Sequence, residues 1–263
     1  MGIGDELMLA GEAKRRAAGT ARRYRMLDKF GQPRWHFVWD RCAHVAKPGE
    51  PCDGEIGFSA GKRPYMVDVK LDRYSFREYA PAPAEFQLGP QAQSFSKLTK
   101  GCIVFNPTIK HKASPNKQWG LENWKRLIAL GREFRWVQIG AAALLRIRGA
   151  EEIPTFNFWD ACGALAGARA AVLHEGALHH AAASTGTLCV VIYGGFISPR
   201  VTGYAGQAPL YVESERWPFG CGMRVPCGHC RDAMDQITPE TVLGALRSLL
   251  ITNHESRITN HAA

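Results

Sequence analysis

Residues 164–196 read ALAGARAAVLHEGALHHAAASTGTLCVVIYGGF, and this stretch decides the fold. The small-residue segment Ala164–Arg169 ends a helix and passes into an apolar run, Ala170–Leu173. His174-Glu175-Gly176 forms a turn, and the alanine-rich Ala177–Ala183 reads as a second helix. After a Ser/Thr/Gly loop, Leu188–Tyr193 is another apolar strand, closed by Gly194-Gly195. Strand, turn, helix and strand make a βαβ unit, and strands this continuously apolar suit a parallel sheet covered on both faces. In such sheets ligands bind beyond the carboxyl ends of the strands, where the next helix begins. His174, Glu175 and Gly176 hold that position, as do Gly194 and Gly195. The free N–H groups and the dipole of a helix start favour an anion, so a phosphate is the expected guest.

Upstream, Cys102–Asn106 reads as a strand that breaks at Pro107, followed by the loop Thr108–Gln118 (TIKHKASPNKQ) and a helix, Leu121–Leu130, stopped by Gly131. Trp136–Ile139 is the next strand. The basic loop between strand and helix repeats the phosphate-site geometry, and a solvated run of charge is the alternative. Phe158 and Trp159 are expected to pack, and Ile197–Gly206 is aperiodic. Thr238 and Pro239 start a last helix, Pro239–Leu250, and the polar tail 251–263 repeats Ile-Thr-Asn-His with no regular structure expected.

The amino-terminal part is less regular. A Gly-rich turn at Gly2–Asp5 enters a helix that runs to about Ala18. Arg22–Leu27 and Tyr65–Val69 read as short strands, and Trp35 and Trp39 as filling for a small core, with stacking on a sugar or base as the alternative. The Pro-rich segment Tyr79–Gln93 reads as an interlobe linker.

With 263 residues and 46% apolar content, the chain is large enough for one large domain or two small ones. No apolar run approaches the roughly 20 residues of a membrane-spanning helix. The start of the sequence lacks a charged-then-apolar leader pattern, and eight cysteines without one suggest reduced thiols in a cytoplasm. The net charge of +9 suits an anionic partner: a nucleotide, lipopolysaccharide phosphates or nucleic acid.

The stretch around Gly176 also resembles the family 9 glycosyltransferases, the ADP-heptose:lipopolysaccharide heptosyltransferase group. The family pattern is an Asp-Thr-Gly turn, a His three residues on, an Ala-rich helix, a strand and a Gly. Gly176, His179, Ala182, Ala183 and Gly194 keep it, while His174-Glu175 stands where Asp-Thr is usual. The resemblance implies an α/β, GT-B-like fold: two Rossmann-type lobes with parallel sheets, the first reduced, over 1–93 with the linker and 94–250. It implies transfer of a heptose-like sugar from a nucleotide-sugar donor, ADP-linked, to a saccharide or glycolipid hydroxyl, with inversion and no required cofactor. Such a lipopolysaccharide-type reaction is compatible with peripheral association with a membrane. The Gly4-Asp5 pair matches the family pair whose Asp is the catalytic base, and capping of a helix is the alternative for Asp5. In the family that pair follows a first strand; here either the chain starts further upstream or the lobe lacks that strand. Thr108, Lys117, His174, Glu175, Gly176, His179, Gly194 and Gly195 are the implied donor-binding residues. Lys117-Gln118-Trp119 resembles the family's phosphate-binding Lys before a Trp, with one residue inserted.

Two readings compete with this one. Cys221, Cys227 and Cys230 form a C-x5-C-x2-C cluster with partial zinc-ligand spacing, but His229 sits inside the C-x2-C pair. Free thiols are the expectation there and zinc the alternative. A DNA-modifying transferase is one rival, permitted by the net charge, but the basic groups at 14–16, 22–25, 110–117 and 146–148 are scattered where a continuous stripe is needed. A catalytically inactive nucleotide-binding module is another, made credible by the lack of a first strand before Gly4-Asp5.

Overall fold

The computed structural model describes residues 2–28, 30–57, 63–109, 115–140 and 146–261, with side chains as far as residue 253. In chain order the first lobe holds α1 (Ile3–Ala17), β1 (Tyr24–Leu27), β2 (Val45–Ala46), β3 (Gly54–Gly57), β4 (Met66–Val69) and β5 (Tyr74–Phe76). A connecting helix, α2 (Pro90–Leu98), leads to β6 (Ile103–Phe105), α3 (Leu121–Leu130), β7 (Trp136–Gly140), β8 (Glu151–Pro154) and α4 (Phe158–Gly167). Then come β9 (Ala170–His174), α5 (Ala177–Thr185), β10 (Cys189–Gly194), α6 (Pro199–Thr202), β11 (Gln207–Tyr211), α7 (Gly228–Gln236) and α8 (Pro239–His261).

The βαβ unit over residues 170–194 sits at the centre of a six-stranded parallel sheet, ordered β11-β10-β9-β6-β7-β8. Alternation along the strands assigns each side chain to a face. Ala171, Leu173, Val191 and Tyr193 enter one core, while Ala170, Val172, Val190 and Ile192 enter the other. The second core is closed by Trp124 and Leu127 of α3 and by Val242 and Leu246 of α8. Trp119 is buried against it and donates its indole N–H to the carbonyl of Ile237 at 2.6 Å.

The first lobe is a three-stranded parallel sheet, β2-β1-β3, with strands of two to four residues. So small a sheet buries little by itself. Its Met26, Val45 and Ile56, with Leu7, Met8 and Ala13 of α1 and Trp39, share one continuous core with the α5 side of the large sheet. Trp39 is buried and bonds the Glu6 carbonyl at 3.0 Å, as its core assignment requires. The segment Tyr65–Val69 forms a strand, but it pairs with β5 in a separate antiparallel hairpin and not with the parallel sheet.

Two stretches depart from the sequence expectation. The end of the interlobe segment is helical, because Gly89 and Pro90 supply an N-cap and first turn for α2. Likewise α8 continues to His261, since no Gly or Pro interrupts residues 251–261. Strands β8 and β11 were not anticipated: both are sheet edges, and Pro154 and Pro209 sit where an edge tolerates the missing N–H.

Candidate active site

Two helix amino-termini open on one cleft of about 760 Å³ between the lobes. One is that of α1, at Gly2–Asp5; the other is that of α5, at Gly176–Leu178. The walls also carry Arg63 and Tyr65 from the approach to the hairpin, Thr108 and Lys117 from the segment after β6, and His174 and Glu175 from the end of β9. Of the expected residues, Asp5, Thr108, Lys117, His174, Glu175 and Gly176 therefore meet at one place. His179, Gly194 and Gly195 do not line it. Gly194 and Gly195 pack under Met234 and His229 of α7. Lys110 and Lys112 of the basic loop lie outside the described residues.

Asp5 closes the start of α1 and also lines the cleft. Oδ2 accepts the Gly2 N–H at 2.8 Å, closing the first turn of α1. Oδ1 accepts the Tyr65 hydroxyl at 2.7 Å and lies 2.6 Å from Nε of Arg63. Burial, and then the Asp5 carboxylate, hold the Tyr65 phenol well above its ordinary range, so it stays a donor. A carboxylate offers about four acceptor positions, and three are taken here.

On the opposite wall Glu175 is ion-paired with Lys117, and Nζ of Lys117 also stands 4.9 Å from the centre of the Phe196 ring. Burial alone would raise the Glu175 pKa; the Lys117 ammonium and then His179 outweigh it and hold the carboxyl below its usual range. His174, in the place of the family's Asp, is neutral: burial and then Lys117 push it down to about 4. Its Nε2 accepts the Trp119 N–H at 3.1 Å. Thr108 is aimed by Asn106, whose Oδ1 accepts both the Thr108 N–H and its hydroxyl at 2.8 Å.

His179 works behind the wall. Its Nδ1 accepts the Gly176 N–H at 2.9 Å, and its Nε2–H donates to the Thr202 carbonyl at 2.9 Å. This locks the turn and commits the Gly176 N–H, leaving the N–H groups of Ala177 and Leu178 to face an anion. Glu175, His179 and His180 carry donor atoms close enough together for a metal. Their chemistry does not suit one, because both nitrogens of His179 serve backbone groups and Glu175 serves Lys117.

Three cleft residues escape the sequence reading: Arg63, Tyr65 and His180. His180 is buried, with Nδ1 2.7 Å from the Tyr204 hydroxyl. Burial and then the neighbouring His179 hold its pKa well below the ordinary value. Its other ring edge, with Nε2, lies against Gly4 at the cleft wall. Gly4 permits this: a Cβ there would stand 2.6 Å from Cδ2 of His180. The signal available was the doubled His179-His180 on one helix turn. Arg63 gave none.

Elsewhere, Sγ of Cys221 lies 2.9 Å from that of Cys230 and 3.8 Å from that of Cys227. The hydrogen bond from Cys230 lowers Cys221 to about 6, while the same bond pushes Cys230 far up. Arg200, in the aperiodic segment after β10, is paired with Glu78 at 3.2 Å and lies over Phe219.

A cleft between two α/β lobes, with the starts of α1 and α5 packed side by side on it, is the arrangement of the GT-B fold, and comparison with solved structures agrees on that fold. The chain is similar to the iron-containing dodecameric glycosyltransferase TibC of enterotoxigenic E. coli, with TM-score 0.58 and 14% identity, over 97% of this chain and 77% of that one. It is similar to a family 9 glycosyl transferase from Veillonella parvula, with TM-score 0.50 and 14% identity, over 93% and 78%. It also matches E. coli ADP-heptose lps heptosyltransferase II at TM-score 0.48 and 20% identity, over 65% of this chain and 54% of that one. The chain thus spans about half the length of the two E. coli heptosyltransferases it matches, 54% and 48%. No protein-family model and no curated protein matches it.

Proposed function

We propose that the protein is an inverting glycosyltransferase that moves a heptose-like sugar from an ADP-linked donor to a saccharide or glycolipid hydroxyl. The observation that carries this reading is the convergence of Asp5, Lys117 and two helix amino-termini on one interlobe cleft. The donor's diphosphate would lie against the N–H groups of Ala177 and Leu178, with Lys117 turning from Glu175 toward it. Asp5, through its remaining acceptor position, takes the proton of the acceptor hydroxyl as that oxygen attacks the anomeric carbon. The bond from that carbon to the phosphate oxygen breaks as the new bond forms, so the configuration inverts and the nucleoside diphosphate leaves. Its developing charge falls on Lys117 and the start of α5. Glu175, freed from Lys117, meets sugar hydroxyls. Each step uses side chains of this chain and requires no added cofactor.

The named neighbours support the sugar-donor class: heptosyltransferases are among them, one in a structure with ADP and one with an ADP-heptose. Nucleotide-sugar chemistry fits a cytoplasmic enzyme that visits a membrane surface to meet a glycolipid. No helix among the described residues is long and apolar enough to cross a membrane. One observation favours a second reading, a binding module without turnover: Arg63 and Tyr65 already occupy Oδ1 of Asp5. The experiment is a thermal-shift screen of ADP, UDP, GDP and their sugars, followed by a turnover assay on every hit. A ligand at 100 times its dissociation constant stabilises by about 2.7 kcal/mol. Stabilisation with turnover supports the enzyme, stabilisation alone supports the module, and no response to any nucleotide removes both.

A further inference from the structure

We propose that His180 is a positioning residue: its imidazole fills the space that Gly4 leaves open and so sets the distance between the Asp5 carboxylate and the start of α5. The proposal rests on the reading of Asp5 as the base and of the α5 start as the diphosphate site. In an inverting displacement the base, the attacking oxygen, the anomeric carbon and the leaving oxygen must fall in line, so that distance is itself a catalytic variable. Gly4, Asp5, Ala177, Leu178 and His180 all line the one cleft. The two helix starts touch where a Cβ on Gly4 would stand 2.6 Å from Cδ2 of His180, 3.0 Å from its Nε2 and 3.6 Å from Cα of Ala177. Carbon atoms in contact rest about 3.5–4.0 Å apart, so an alanine at position 4 demands a movement of about 1 Å.

The imidazole cannot supply that movement. His180 is 2% exposed, its Nδ1 is 2.7 Å from the Tyr204 hydroxyl, and the His179 ring lies against it with centroids 3.9 Å apart. His179 is itself tied at both nitrogens, to Gly176 and to the Thr202 carbonyl. Nor can α1 shift as a whole. Gly11 lies about two turns beyond Gly4, and a Cβ there would stand 1.9 Å from the carbonyl oxygen of Ala82. That second contact is bound to the same partner helix: the Ala84 N–H donates to Oγ of Ser184 at 3.1 Å, and this hydroxyl donates to the His180 carbonyl at 2.9 Å. A bulkier residue 4 is therefore taken up by a swing of the amino end of α1, and Asp5 sits on that end. Arg63 and Tyr65, which hold Oδ1 of Asp5 from another segment, do not follow the swing.

The experiment uses full-length protein and two readouts, ADP affinity by calorimetry and turnover of ADP-heptose, read as ADP released. Gly4→Ala should lower kcat about 100-fold, the loss expected for a misplacement of about 1 Å, while KM for the donor and ADP affinity stay near wild type. His180→Ala, which empties the seat, should also lower kcat with ADP affinity retained. Combining the two gives the new methyl group room, and the double variant should turn over faster than either single one. Should Gly4→Ala fail to fold, Tyr204→Phe frees the ring from its hydrogen bond with Gly4 intact, and kcat should again fall alone. A purely structural contact would instead lower the melting temperature, ADP affinity and kcat together, and the double variant would be the worst of the three. That pattern overturns the proposal, and so does near-normal kcat in Gly4→Ala. If the wild-type protein releases no ADP from ADP-heptose, the transfer reading fails and the seat is judged without turnover. The carbon-13 signal of the Asp5 carboxyl, identified by its loss in Asp5→Asn, should then shift in Gly4→Ala and return in the double variant. An unmoved signal overturns the seat.

Discussion

On one wall of the cleft Asp5 is held by Arg63 and Tyr65; on the other, Glu175 is held by Lys117, and the two pairs are supported very differently. Glu175 closes β9 in the middle of a six-stranded sheet, with His179 and Trp119 fixing its neighbours. Arg63 and Tyr65 instead precede a two-stranded hairpin whose outer residues are exposed, and the first-lobe sheet has strands of only two to four residues. The exposures follow suit: the Lys117 and Glu175 side chains are 18% and 5% exposed, those of Arg63 and Asp5 25% and 7%. A preformed, fully packed wall suits the holding of a donor. A wall carried by short irregular segments suits a group that must exchange partners when an acceptor arrives.

The sharpest way to break this division of labour is Asp5→Asn. The amide keeps an oxygen for the Gly2 N–H, so α1 should survive, but it cannot take a proton. Turnover should fall by about 10²–10⁴-fold while ADP affinity stays nearly constant. Steady-state kinetics beside calorimetry decide it, and near-normal turnover would reduce Asp5 to a helix cap.

Lys117→Ala attacks the other wall, and its first effect should be on stability. It strands the Glu175 carboxylate in a buried site, which typically costs about 3–5 kcal/mol. Adding Glu175→Gln removes the orphaned charge and should recover most of that loss. Urea midpoints for the two single variants and the double give the coupling. The double variant then tests donor binding without the folding defect, and unchanged ADP affinity in it would exclude Lys117 from the donor site.

The donor wall should also carry the acid sensitivity. His174 is held neutral with a pKa of about 4, against an ordinary value near 6.5, so the unfolded chain binds the proton more readily. Stability from this source is present above about pH 6.5 and is lost as pH falls toward 4, by about 3 kcal/mol in all. His179 and His180 are depressed too and act in the same direction. Chemical denaturation at intervals from pH 7.5 to about 4 should therefore show a falling midpoint. His174→Gln should flatten that fall, and an unaltered slope in the variant would relocate the effect to the other two imidazoles.

How much of this was legible in the sequence follows the same divide. Residues 170–194 are apolar on both faces of every strand, so neither face can be left to water and a covered parallel sheet is the remaining solution. The turn at 174–176 and the helix behind it were legible for the same reason. Arg63 and Tyr65 were not, because nothing local marks them: they reach Asp5 across about 60 residues, through a hairpin whose alternation is broken by a bulge between Met66 and Asp68. Edge strands with proline, such as β11, mimic loops in a one-dimensional reading. His180 was not legible because only its neighbour His179 stands three residues after Gly176, where the resembling motif has its His. The three cysteines were visible as a spacing, but only their convergence from a loop and a helix start shows that the sulfurs meet.

The smallest expected effect concerns the first lobe's surface, where sequence and structure diverge most. Lys14–Arg16 and Arg22–Arg25 are the densest basic groups in the sequence, and a DNA-modifying transferase would need a basic surface to hold several phosphates. In the fold much of this charge is already answered. Arg15 and Arg16 pair with Glu12 at 3.4 and 2.9 Å, Arg23 with Glu50 at 2.8 Å, Arg25 with Glu55 at 3.4 Å and Lys14 with Glu85 at 3.8 Å. Each pair is exposed enough to contribute little to stability, yet together they cancel the local field that would draw a polyanion. Random duplex should therefore bind weakly, with a shallow dependence on salt, because each phosphate neutralised adds about −0.9 to the logarithmic slope. Fluorescence anisotropy across a salt titration measures that slope directly. A value corresponding to six or more phosphates, with affinity surviving near physiological salt, would mean that duplex pulls these arginines from their glutamates, and DNA would replace the saccharide as the leading acceptor.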